Sequence, residues 1–75
     1  MELKKTQIEV LKTLAQHENE WLGTSDIQRY SSVKNTGHIV SAIKFFMQND
    51  LVYQPNFEDK VQITPDGLNV ISAYI

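Results

Sequence analysis

The side chains of this 75-residue chain with chemistry beyond packing are two His, seven Lys or Arg, nine Asp or Glu, and scattered hydroxyls. Histidine and carboxylate suit metal ligation and acid–base work, and serine suits nucleophilic attack. Each use needs several groups to converge. His17 and His38 stand far apart in sequence, with no Cys and no partner at ligand spacing, so no metal site is expected. No Ser lies in a nucleophile motif, and no glycine-rich phosphate loop occurs. So short a chain leaves little room for a catalytic pocket. Neither an enzyme nor a cofactor is expected.

Charge is the more informative chemistry. From Ile27 to Asn49 there is no Asp or Glu, while Arg29, Lys34 and Lys44 fall inside that stretch. The whole chain carries −2, so the remainder is acidic. A negative total argues against a nucleic-acid binder. The segregation argues for one, because a polyanion responds to the local field.

The length allows one domain over residues 1–75. With 41% hydrophobic and 21% charged residues the composition is globular, and without Cys the apolar core must hold the fold alone. No apolar run approaches the ~20 residues of a membrane helix. Met1-Glu2-Leu3-Lys4-Lys5 does not open a signal peptide. A cytoplasmic protein without a membrane partner is expected.

Apolar spacing predicts a first helix over Leu3 to Gln16, with Ile8, Leu11, Leu14 and Ala15 on one face and Val10 beside them. Trp21-Leu22-Gly23 suits one or two residues of β-pairing. Thr24 reads as the N-cap of a short helix over Ser25 to Ser31 that buries Ile27 and Tyr30. After a polar turn, a third helix runs from Asn35 to Asn49. Ile39, Ile43, Phe46 and Met47 form its inner face, with Val40 and Ala42 at the edges. Asn49-Asp50 ends it by visiting the left-handed region. Leu51 to Gln54 and Lys60 to Ile63 form a hairpin around the loop Pro55 to Asp59. Thr64 then caps a last helix with Pro65 at its first position.

The fold class expected is mainly α with a small β-hairpin (α+β): helix, short strand, helix, helix, hairpin, helix. Two helices across a short turn suggest a helix-turn-helix, and the hairpin after them is placed as its wing. The stretch from His38 to Val52 resembles the recognition helix and first wing strand of winged helix-turn-helix transcription regulators of the MarR and PadR type. Ile39, Ile43 and Phe46 take their apolar slots, Leu51-Val52 opens the strand, and Asp50 replaces their usual Gly. Ile63-Thr64-Pro65-Asp66-Gly67-Leu68 resembles the "Leu-Thr-x-x-Gly" that follows the wing. Compact domains of this length also occur among phage and plasmid regulators.

The resemblance implies a DNA-binding regulator with its third helix in the major groove of double-stranded DNA. His38, Ser41 and Lys44 are then the candidates for base edges, with Asn35 and Thr36 at the helix start and Gln48 further along. Arg29, Ser32, Lys34 and Lys60 are candidates for holding phosphates, and Asn56 is the loop candidate. Three features point elsewhere. The wing carries Glu58 and Asp59 against Lys60. Phe45 falls among the polar positions of the third helix, where it suits packing against the hairpin, a thymine methyl or a protein surface. Tyr74 and Ile75 close the chain on apolar side chains that suit either the first helix or a homodimer. The rival expectation is a winged-helix interaction module that binds RNA polymerase or another regulator without reading DNA.

Overall fold

Leu22 and Val61 exchange two backbone hydrogen bonds of 2.9 Å, joining the chain ahead of its second helix to the far side of its hairpin. They do so in a computed structural model that describes residues 1–54 and 59–75. The element order is α1 (Lys5–Gln16), α2 (Thr24–Tyr30), α3 (Thr36–Gln48), β1 (Val52–Tyr53), β2 (Gln62–Ile63) and α4 (Pro65–Ser72). The two strands pair antiparallel, with Val52 opposite Ile63 and Tyr53 opposite Gln62. The protein is thus mainly helical with a small two-stranded sheet. Among the described residues the segment expected as a further strand, Trp21 to Gly23, contributes only the bridge at Leu22.

Helix α1 buries Val10, Leu11 and Leu14, while Ile8 and Ala15 are only partly covered. It packs on both α3 and α4, and α2 packs on α3. Phe46, Ile27, Ile39, Leu51, Val61 and Ile71 complete a single core. At α1's start the Lys4 N–H donates to Gln7 Oε1 (2.8 Å). Leu3, expected inside the helix, is buried just ahead of it.

The helix ends follow capping chemistry. Asn35 Oδ1 accepts from the His38 N–H (3.1 Å) and starts α3. At the other end Asp50 has φ 57°. The Asp50 N–H reaches the Met47 carbonyl and the Leu51 N–H the Phe46 carbonyl, which is a Schellman motif. Thr64 Oγ1 accepts from the Gly67 N–H (3.0 Å) and donates to the Asp50 carbonyl (2.8 Å). One hydroxyl therefore caps α4 and ties it to the turn that ends α3.

Two more expectations are corrected. The N-cap of α2 is Gly23 and not Thr24, because Asp26 Oδ2 takes the Gly23 N–H (2.9 Å) and starts the helix one residue earlier. Tyr30 is 46% exposed. Its ring stacks on His17, with centroids 4.5 Å apart, because α1 ends beside α2.

Candidate nucleic-acid interface

Helix α3 turns Ile39, Ala42, Ile43 and Phe46 into the core. That leaves Thr36, His38, Ser41, Lys44 and Gln48 exposed. Ser41, Lys44 and Gln48 follow one another at three- and four-residue spacing, so they form a row along the outer face. The cap holds the first turn of α3 in place, and the Schellman motif fixes its last, so the row is presented on a rigid element.

Phe45 is not part of this row. It is half-buried against the core, edge-on to Phe46 at 6.2 Å between centroids. Met47, expected on the inner face, is 39% exposed, and Val40, expected at its edge, is 40% exposed. The inward sector is already filled by the four core residues. Val40 and Met47, seven residues apart, stand above one another on the flank facing the sheet. With Lys44, Asp59 and Val61 they line an open cleft of about 440 Å³.

The cations differ in their freedom. Arg29 pairs with Asp26 (2.9 Å) and lies 5.4 Å from the Tyr30 ring centroid. Lys34 Nζ donates to the carbonyls of Gln28 (2.7 Å) and Ser31 (2.8 Å), at the C-terminal end of α2. There it complements the negative end of the helix dipole. Lys44 has no hydrogen bond or ion pair among the described residues. Ser32 is exposed, with its Oγ 3.4 Å from Glu9 Oε2. Lys60 is exposed and shares a cleft with Gly23, Asp26, Thr36 and Asp59. Asn56 lies outside the described residues.

The packing of α1 on α3 adds two cations that spacing along the chain did not single out. Lys4 lines a cleft with His38 and Ser41, and Lys5 lines another with Glu9, Lys34 and His38. One flank of α3 is therefore basic and polar, with Glu9 the carboxylate among its lining residues. The other flank carries Val40 and Met47 and faces Thr24, Gln54 and Asp59 across its cleft.

At the chain's end, Tyr74 OH donates to the Met1 carbonyl and accepts from the Leu3 N–H, both at 2.8 Å. Tyr74 is thus committed within the chain, whereas Ile75 is 73% exposed. Among the described residues no group of three His, Asp or Glu gathers as metal ligands would, and no helix is long and apolar enough to cross a membrane. No family model matches the chain, and neither does a curated protein or a solved structure.

Proposed function

We propose that this chain is a small transcription regulator that binds double-stranded DNA through α3, as a winged helix-turn-helix does. The observation that carries the reading is the exposed row Ser41, Lys44 and Gln48 on a helix inside a stretch free of acids. A helix fits the major groove, and these short polar or cationic side chains suit base edges and phosphates. His38, three residues before Ser41, extends the row toward the helix start, while Thr36 lies on the flank of Val40. Lys4 and Lys5 offer phosphate contacts beside it. Helices α2 and α3, their turn, and the β1–β2 sheet supply the elements such a domain uses. Repression by covering a promoter is the simplest mechanism for a domain of this size.

So few cations supply modest affinity. A single domain would bind non-specifically in the range of roughly 10⁻⁴ to 10⁻⁶ M. A homodimer engaging two half-sites would raise this without new contact chemistry.

A second reading is favoured by the Val40–Met47 cleft and by Asp59 at its rim: an interaction module for a protein of the transcription machinery. An NMR titration of the labelled chain with mixed-sequence duplex, at low and at physiological salt, separates the two. Salt-sensitive shifts along α3 and at Lys4 and Lys5 support DNA binding. Absence of shifts at low salt overturns it, since phosphate attraction is strongest there.

A further inference from the structure

We propose that Val40 and Met47 recognise thymine methyl groups in the major groove, so that the preferred duplex carries T next to the base contacted by Lys44. This rests on the duplex-DNA reading above and goes beyond it by naming the bases. Isolated exposed apolar side chains are ordinary. These two are aligned over two turns of one helix, at 40% and 39% exposure, beside a cation with no partner among the described residues. Their cleft, which Thr24, Gln54 and Asp59 also line, offers apolar contact at Val40 and Met47 and a cationic donor at Lys44.

The major-groove edge of DNA complements that combination within one base step. Thymine presents its C5 methyl, and a neighbouring guanine presents O6 and N7 acceptors to a lysine. Asp59 across the cleft fits the same edge. A carboxylate there repels phosphate but accepts from the amino groups of cytosine or adenine. The cleft therefore suits bases, and the opposite flank, with Lys4 and Lys5, suits the backbone.

The test varies the DNA, so that no folding defect can intrude. Fluorescence anisotropy at low salt compares the full chain on four short duplexes: alternating A·T, the same sequence with uracil for thymine, alternating G·C, and the same with 5-methylcytosine. Each pair has equal charge and differs only by the methyl. Removing one contacted methyl should weaken binding about three- to five-fold. The 5-methylcytosine duplex should bind more tightly than its parent. Val40→Ser and Met47→Gln should each shrink the methyl effect, while Lys44→Gln should weaken all four duplexes and preserve it. Equal binding within each pair overturns the inference and leaves the DNA-binding reading standing. No binding to any duplex overturns both. If the DNA-free chain sediments as a dimer that Met47→Gln dissociates, the cleft belongs to a second copy and the inference fails.

Discussion

Gln28 and Lys34 hold each other by two reciprocal hydrogen bonds of 2.7 Å, Gln28 Nε2 donating to the Lys34 carbonyl and Lys34 Nζ to the Gln28 carbonyl. The pair closes the turn between α2 and α3 and sets how the two helices meet. Two of the three N–H groups of this ammonium are thus committed to carbonyls of the turn, those of Gln28 and Ser31. Lys34→Met should therefore act on stability. The expected loss is ~1 kcal/mol, the scale of an exposed hydrogen-bonded cap. For a domain of this size that lowers Tm by about 4–8 °C. The salt dependence of DNA binding should stay unchanged in the same variant. A flatter salt slope would mean that Lys34 also belongs to the interface.

Lys44 should behave in the opposite way. It is exposed on α3 and forms no hydrogen bond or ion pair among the described residues. Lys44→Gln should leave thermal unfolding within ~0.5 kcal/mol of the parent, as for other surface changes. It should weaken duplex binding and reduce the slope of log K against log salt by about 0.9, one phosphate's worth. Unchanged affinity and slope would remove Lys44 from the interface.

These two lysines show what the sequence could and could not disclose. Both were legible as cations in an acid-free stretch. Their difference depends on where the carbonyls of Gln28 and Ser31 point, which no spacing rule conveys. Helix ends were more legible, because caps are local chemistry: Asn35, Asp50 and Thr64 all act where their residue types suggest. Gly23 was missed because the choice between neighbouring caps was made by Asp26, three residues on. Met47 was misplaced for a different reason. Its apolar character suggested the core, but the part of α3 facing inward was already full. Tyr30 was misplaced because His17, distant in sequence, offered its ring a stacking partner at the surface. The basic flank formed by Lys4 and Lys5 is a product of α1–α3 packing and has no local signature.

Gly67 gives a prediction that helix propensity alone would get wrong. Within an exposed helix, Gly→Ala stabilises by up to ~1 kcal/mol. Here a Cβ would stand 2.3 Å from the Leu51 carbonyl oxygen and 2.6 Å from Ile63 Cγ1. The first obstacle is backbone, and it belongs to the turn that Thr64 pins to α4. Gly67→Ala should thus destabilise by ~2 kcal/mol or more, through overpacking. Chemical denaturation checks this, and a rise in the midpoint would refute the close packing of α4 on Leu51.

The chain's last residues separate stability from self-association. Tyr74 OH joins the Met1 carbonyl and the Leu3 N–H, tying the start of the chain to the end of α4 and holding Leu3 over the core. Tyr74→Phe keeps the ring and removes both bonds. It should cost ~1–2 kcal/mol, because the partners regain only part of their bonding from water. Hydrogen exchange at Leu3 should accelerate, with no change in sedimentation. Ile75, 73% exposed, contributes little to the core. Ile75→Ser should leave the thermal midpoint in place and shift a concentration-dependent sedimentation profile toward monomer, as a terminal dimer surface requires. The two variants must diverge for this assignment to hold. If Tyr74→Phe alone altered the association state, the end of α4 itself would be the contact, and if neither did, a homodimer would have to form through another face.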